Sequence, residues 1–374
     1  MISAGEASGD LYASTLAFHL RERLPGVELF GCAGPRMQAA GVRPVVDAGS
    51  LAVVGLVEVV AHIPRIYGEY RKLVKAARTE RPDVAVLTDS PDFHLRLARQ
   101  LRKMDIPVIY LVAPQVWAWR KGRLSMIRRT IDRLLCIFPF EEEFFRKHGV
   151  PATYIGHPLA SLVKPVWSRE EFFARHGLAR DRPMIALLPG SRTGEAARHM
   201  PALADAVRRI ATEVSASFVL ARPVGTGPGR FAEFKERIPG AAIQVIEGET
   251  WDVLAHTDLA LAASGTVTIE AALVGAPMVT FYKVSRLSWL LGKLLVDVPF
   301  YSMVNLVAGR AIVTELMQNE MSGGRLASEA LRLLNDPASR DRMRRELGSV
   351  AARLSGSEDP IARAAGIVGE FLPK

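Results

Sequence analysis

Two successive series of short apolar runs, each run separated from the next by a longer stretch of helical period, constrain this chain more than any other feature. In the first series the runs fall at residues 27–32, 84–87, 108–111 and 133–137; in the second, at 184–188, 217–220, 242–245, 259–262 and 278–281. Short β-branched runs alternating with helical stretches specify a parallel sheet covered by helices on both faces. The rhythm resets after Tyr154-Ile155-Gly156-His157-Pro158, and Pro158 and Pro165 interrupt regular structure there. At 374 residues the chain also exceeds the size at which single cores usually stop growing. The expected fold is therefore α/β: two Rossmann-like, doubly wound domains facing a central cleft, at 1–163 and 164–345. The remaining residues, 346–374, are expected to form helices that pack back on the first domain or on a partner subunit, which leaves a homodimer open. Ligands of such sheets gather at the carboxyl ends of the strands.

Two loops in the second half stand at such strand ends. Leu187-Leu188-Pro189-Gly190-Ser191-Arg192-Thr193-Gly194-Glu195 and Ala263-Ser264-Gly265-Thr266-Val267-Thr268-Ile269-Glu270 each join an apolar run to a helical one through small residues. Glycine and serine at a helix start expose backbone N–H groups and the positive end of the helix dipole, which makes an anion site. A pair of such loops suits a diphosphate. Neither has the Gly-Lys-Ser/Thr of a Walker loop or the G-x-G-x-x-G of a dinucleotide site, so a nucleotide sugar is the better candidate. The candidate nucleotide-binding residues are Gly190, Ser191, Arg192, Glu195, Ser264, Gly265, Thr266 and Glu270; Arg192 would neutralise phosphate charge and Glu270 would accept from ribose hydroxyls. Either loop alone also reads as a plain turn.

The first half holds three further loops. In Ser3-Ala4-Gly5-Glu6-Ala7-Ser8-Gly9-Asp10 the glycines permit a tight turn, and Ser8 or Asp10 is placed to cap a helix running on from Leu11. Thr88-Asp89-Ser90-Pro91-Asp92-Phe93 sets Asp89 at the carboxyl end of the run 84–87, where a carboxylate can serve as a general base. Asp92 either does the same or caps the helix that follows. Ala113-Pro114-Gln115-Val116-Trp117-Ala118-Trp119-Arg120 carries two tryptophans, suited to a sugar or acyl platform or to packing between domains.

Composition narrows the setting. A formal charge of +9 favours anionic partners such as nucleotides, phospholipid surfaces or nucleic acid without choosing among them. Cys32 and Cys136 form no CxxC or Cys/His spacing, so neither a disulfide framework nor a zinc site is expected, and a reducing cytoplasm fits. No signal segment and no apolar run long enough to span a bilayer is read.

Taken together, Gly5-Glu6-Ala7-Ser8-Gly9-Asp10, Ala33-Gly34-Pro35-Arg36-Met37, Val54-Gly55-Leu56-Val57-Glu58-Val59, Pro91-Asp92-Phe93, Pro114-Gln115-Val116-Trp117-Ala118-Trp119, Gly156-His157-Pro158, Pro189-Gly190-Ser191-Arg192, Ala263-Ser264-Gly265-Thr266 and Asn305-Leu306-Val307-Ala308-Gly309-Arg310 resemble the lipid-A-disaccharide synthase family, in order from residue 3 to about residue 330. The resemblance implies an inverting, metal-independent glycosyltransferase of the GT-B fold that needs no cofactor and no nucleic acid. Its implied donor is UDP-2,3-diacylglucosamine and its acceptor 2,3-diacylglucosamine 1-phosphate (lipid X), giving the β-1,6 disaccharide and UDP. It carries the base role to Asp89, places Glu6 and Ser8 beside the reaction and gives Asn305 a polar contact at the donor side. His157 is expected to be structural. Family members usually have several apolar residues before the first glycine loop where this chain has Met1 and Ile2, so a first strand shortened by a misplaced start is expected.

Lipid substrates imply work at the cytoplasmic face of the inner membrane. In residues 285–300, Trp289, Leu290, Leu291, Leu294 and Leu295 crowd one side of a helix while Arg286 and Lys293 add positive charge, a pattern for an interface helix or for a buried one. A second basic run carries Arg65, Arg71, Lys72, Lys75 and Arg78, a solvated face that also suits anionic lipid. Rival readings are another GT-B-like UDP-sugar enzyme, such as an epimerase, and a non-catalytic nucleotide-sugar binder.

Overall fold

The computed structural model describes residues 1–50, 56–224, 229–236, 238–296 and 298–373, with side chains at all of these except 56–63, 193, 230, 232, 286, 287, 291, 293 and 294. Of the Val54–Val59 motif, residues 54 and 55 and the side chains of 56–59 lie outside the described residues. The chain divides into two compact units, one of Met1–Pro158 with Leu354–Lys374 and the other of Leu159–Arg353.

Unit 1 contains β1 (Ile2–Ala4), β2 (Phe30–Ala33), β3 (Arg43–Asp47), β4 (Ala85–Thr88), β5 (Val108–Leu111), β6 (Arg133–Cys136) and β7 (Ala152–Tyr154). Five strands make a parallel sheet in the order β1-β4-β5-β6-β7, and β2 pairs in parallel with β3. β2 runs close against β1: a Cβ on Gly31 would stand 1.9 Å from the Ile2 carbonyl oxygen, an approach only glycine permits. The sequence order of the strands therefore reverses between β1 and β4. β4 and β5 are buried along their whole length because helices cover both sheet faces, which is why they read as unbroken apolar runs. The C-terminal helix Pro360–Gly369 packs on Ala7–Arg23 within this unit, and Asp359 caps it by accepting from the N–H groups of Ile361 and Ala362.

Unit 2 contains β8 (Met184–Leu188), β9 (Ser217–Arg222), β10 (Ala242–Glu247), β11 (Leu259–Ala263), β12 (Met278–Tyr282) and β13 (Thr314–Met317). They form a parallel sheet ordered β10-β9-β8-β11-β12-β13, so the reversal falls between β8 and β11. This is the dinucleotide-domain order, in which ligands settle outside the strand ends at the reversal. The helix Pro337–Leu354 runs through residue 346 without a break, so the expected segment boundary there is not a structural one. Three strands absent from the sequence reading, β3, β7 and β13, lie at sheet edges, where partial exposure removes the apolar run that marks a central strand.

Candidate active site

Both reversal points carry the loops that the sequence singles out. In unit 1, Asp89 and Ser90 leave β4 in left-handed conformations, with φ of 53° and 37°. Such backbone costs a non-glycine residue of order 1 kcal/mol or more, so neighbouring groups must hold it. The Asp89 carbonyl accepts from the Tyr110 hydroxyl at 2.5 Å and from His94 Nδ1 at 3.0 Å. Burial pushes the His94 imidazole down to about 4, so the ring is neutral near pH 7. Because a carbonyl can only accept, Nδ1 carries the proton and Nε2 accepts from the Ser3 hydroxyl at 2.9 Å.

The Asp89 carboxylate is held separately. Gly5 N–H donates to Oδ1 at 2.8 Å and Glu6 N–H to Oδ2 at 3.1 Å. A Cβ on Gly9 would fall 1.7 Å from Oδ2, so the helix can pass this close to the carboxylate only as glycine. Burial raises the Asp89 carboxyl to about 7 against the opposing pull of the two N–H groups, with the Glu6 charge adding to the rise. A base with that affinity for a proton is matched to chemistry near neutrality. Glu6 and Ser8 stand exposed at the start of the helix Ala7–Arg23, and their side chains have no hydrogen-bond partner among the described residues.

Capping differs from the sequence expectation. The helix begins at Ala7 with Glu6 at its N-cap, so Ser8 and Asp10 lie inside it. Asp10 instead accepts from Arg36 and Met37 N–H, at 3.0 and 3.1 Å, and so caps the neighbouring helix Pro35–Ala39. Asp92 sits in the first turn of Pro91–Arg102, where burial tends to raise its carboxyl but hydrogen bonds and charges from Arg123 and Arg120 hold it below the ordinary value. The tryptophans separate in role: Trp117 donates its indole N–H to buried Glu141 at 3.0 Å, while Trp119 is exposed. His157 is buried against Phe138, and burial lowers its imidazole to about 3.

In unit 2 the loop after β8 turns at Gly190, whose φ of +113° favours glycine and whose missing Cβ leaves room for the Glu195 side chain, 2.7 Å away at Cδ. Glu195 is half-buried, and burial raises its carboxyl while the Arg192 charge opposes the rise. His199 ties this loop to the one after β12: Lys283 N–H donates to Nε2 at 3.0 Å, so Nδ1 carries the proton and donates to the Pro189 carbonyl at 2.7 Å. Arg192 is the N-cap of Thr193–Glu213, and both Ser191 and Arg192 are exposed.

After β11 the expected donors divide. Ser264 N–H is engaged by the Phe281 carbonyl at 2.8 Å and its hydroxyl by the Tyr301 carbonyl at 3.0 Å. Gly265 and Thr266, exposed at the start of Thr266–Leu273, keep N–H groups without an acceptor among the described residues. On this helix, burial raises the Glu270 carboxyl to about 7, although a hydrogen bond from Trp251 opposes it. Asn305, expected at the donor, is fully buried. Its Nδ2 donates to the Val313 carbonyl and Glu315, and its Oδ1 accepts from Ile312 and Val313 N–H. That uses every donor and acceptor an amide side chain has, so Asn305 shapes the loop and offers nothing to a ligand.

His94, Tyr110 and His199 are the polar supports that sequence reading missed. Their only signal is spacing: His94 falls five residues after Asp89, and His199 one to three helical turns beyond the Pro189 loop. Elsewhere, Leu290 and Leu295 are exposed at 61% and 59% on the helix Arg286–Leu295, and Trp289 packs on Tyr301 at 5.6 Å. The side chains of Arg286, Leu291, Lys293 and Leu294 lie outside the described residues. The run from Arg65 to Arg78 is helical, within Leu56–Glu80. No helix among the described residues is long and apolar enough to cross a membrane, and they contain no His, Cys, Asp and Glu group suited to a metal ion.

Residues 1–358 match the lipid-A-disaccharide synthetase family. A lipid-A-disaccharide synthase of Solibacter usitatus is 63% identical over 372 residues, covering 100% of this chain and 97% of the relative. Among solved structures, UDP-GlcNAc 2-epimerase from Neisseria meningitidis bound to UDP-GlcNAc matches with a TM-score of 0.64 at 12% identity, over 99% of this chain and 98% of that one. A glycosyltransferase from Rickettsia africae matches with a TM-score of 0.63 at 9% identity, over 99% and 97%. At such low identities these structures speak for the fold alone, and the fold is of the GT-B class, with two α/β domains.

Proposed function

We propose, from the fact that this chain belongs to the lipid-A-disaccharide synthetase family, that Asp89 is the general base of its reaction and that the loops after β8 and β11 hold the donor's diphosphate. The chain is a glycosyltransferase that forms the lipid A disaccharide from a UDP-sugar and a lipid acceptor. In the finer reading the donor is UDP-2,3-diacylglucosamine and the acceptor 2,3-diacylglucosamine 1-phosphate. Asp89 takes the proton of the acceptor hydroxyl as its oxygen attacks the anomeric carbon from the face opposite UDP. The oxygen–carbon bond forms as the carbon–phosphate oxygen bond breaks, so one displacement inverts the anomer and the electron pair leaves on UDP.

The observation that carries this reading is the state of Asp89: a carboxyl raised to about 7, clamped at a strand end by two N–H donors and braced by Tyr110 and His94. Charge developing on the leaving diphosphate would meet the N–H groups of Ser191, Gly265 and Thr266 and the Arg192 guanidinium, donors already in place before the bond breaks. Each such donor contributes about 3 kcal/mol of barrier lowering in comparable sites. Glu270 would accept from the ribose, and Glu6 and Ser8 would border the acceptor. For the membrane, exposed Leu290 and Leu295 supply apolar contact and the basic helical run from Arg65 to Arg78 supplies attraction to anionic headgroups, consistent with a peripheral place on the cytoplasmic face.

UDP release tests the reading. It should require the lipid acceptor; an epimerase would alter the donor sugar without acceptor, and a binder would release nothing.

A further inference from the structure

Beside Asp89, the surface of unit 1 gathers two guanidinium groups on a single exposed carboxylate. Arg120 Nη1 lies 3.0 Å from Asp92 Oδ2, and Arg123 donates to Asp92 Oδ1. The Asp92 side chain is 72% exposed, Arg120 46% and Arg123 only 14%. Arg120 has a left-handed backbone with φ of 59°, and its guanidinium stacks 4.4 Å from the centre of the exposed Trp119 ring, with that of Arg123 at 6.0 Å.

Stability does not account for this arrangement. Ion pairs to so exposed a carboxylate contribute about 1 kcal/mol or less. Left-handed backbone at a bulky residue costs about as much or more. What the arrangement does provide is two forked donors converging on one point, with one positive charge left over after Asp92. That is the geometry by which arginine recognises a phosphate monoester, whose charge of about −1.5 to −2 competes well against a single carboxylate.

The position is equally specific. Asp92 follows Asp89 by three residues, in the first turn of the helix that the Asp89 loop enters. Both arginines hold Asp92, three residues beyond Asp89, so an anion seated on them would lie close to the proposed base, on the acceptor side of the reaction.

We propose that Arg120 and Arg123, with Trp119 as their platform, form the subsite for the phosphate of the acceptor sugar, and that Asp92 holds the two arginines in position until that phosphate replaces it. This rests on the assignment of Asp89 as the base in unit 1. Lipid headgroups carry phosphate too, so the test must separate the two sources.

The full chain is assayed in neutral detergent micelles at saturating donor with two acceptors, 2,3-diacylglucosamine 1-phosphate and the same diacyl sugar lacking its phosphate. The quantity read is the ratio of kcat/KM for the two, which is independent of how much of a variant is folded because both acceptors meet the same protein. Arg120→Gln and Arg123→Gln should each lower the ratio about tenfold and the double variant about a hundredfold, as expected for loss of charged hydrogen bonds. Arg123→Lys should recover part of the loss, since a point charge still attracts phosphate. An unchanged ratio, or an equal fall for both acceptors, overturns the subsite. So does a preserved ratio accompanied by weaker binding to phosphatidylglycerol vesicles, which would assign the arginines to the membrane. If the unaltered protein releases UDP with neither acceptor, it is the proposed reaction that fails, and that is seen before any variant is made.

Discussion

In unit 1 the loop N–H groups at the start of the helix after β1 donate to the protein's own carboxylate, Asp89; in unit 2 the helix after β11, on the opposite side of that unit's strand-order reversal, leaves Gly265 and Thr266 N–H without an acceptor among the described residues. Both are helix N-termini facing the carboxyl ends of parallel strands, and both therefore attract negative charge. The difference lies in where the charge comes from. An internal carboxylate fills the first site, with burial keeping its proton affinity high despite two N–H donors, as the proposed base requires. The second remains available to an anion from outside. In the proposed reading, one topology supplies a proton acceptor in one unit and a diphosphate cradle in the other, and the deciding residues are single side chains in the loops.

The sharpest way to break that comparison is Asp89→Asn. Asparagine keeps the size of the side chain but lacks the basic lone pair, so kcat should fall about a hundredfold or more while UDP affinity, which the proposed reading assigns to unit 2, stays within about twofold of the parent. Near-normal turnover in the folded variant would refute the base assignment. Next in size is Gly9→Ala. Its Cβ would overlap Asp89 Oδ2 and must push the carboxylate off its donors, which should cost tens-fold in turnover. Gly265→Ala is the matched control, because a Cβ there meets nothing within 4 Å and φ is extended. Its melting temperature should match the parent's, whereas that of Gly9→Ala should be lower; equal melting of the two would remove the structural distinction between the units.

Smaller effects are expected on the donor side. Arg192→Ala and Glu270→Gln should each weaken UDP binding by about tenfold, since each removes one charged partner from an exposed or partly covered site. Isothermal titration with UDP gives the answer directly. Unchanged affinity in both would place the nucleotide away from the reversal between β8 and β11.

The sequence reveals central strands more readily than the supports of the site. The runs at 108–111 and 184–188 coincide with β5 and β8 because both faces of those strands are covered, and Asp89 is visible as the first carboxylate past such a run. Edge strands such as β3 and β13 leave no such mark. Buried polar supports are harder still, because His94 and His199 occupy inward positions of amphipathic helices and read as ordinary core until their partners are known. The same blindness affects Asn305, to which the family resemblance gave a ligand contact, while its four internal hydrogen bonds make it a brace. Ser264 repeats the lesson: small residues at a helix start advertise N–H donors, but which of them a neighbouring strand has already taken depends on the sheet pairing that brings Phe281 alongside.

The mildest expected effect is a pH dependence confined to unit 2. Burial raises the Glu270 carboxyl to about 7, so in the free protein it gains its negative charge only as pH rises through that value. If the charged form accepts from ribose hydroxyls, affinity for a UDP-sugar should increase between pH 6 and 8, by about fivefold for a group that is mostly neutral at the lower end and mostly ionised at the upper. A UDP-sugar is the proper probe because its diphosphate has no proton to lose in this range. Glu270→Gln should flatten the profile. The sign for stability is opposite: a carboxyl whose proton affinity is raised by folding weakens the fold as pH climbs from its ordinary range through about 7, so Glu270→Gln should melt no lower than the parent at pH 8. Asp89 has the same elevated proton affinity in unit 1, and its ionisation should govern kcat over the same interval while leaving binding of the nucleotide untouched. A pH-dependent affinity that persists in Glu270→Gln would show that some other group controls the nucleotide site, and the division of labour drawn between the two carboxyls would have to be redrawn.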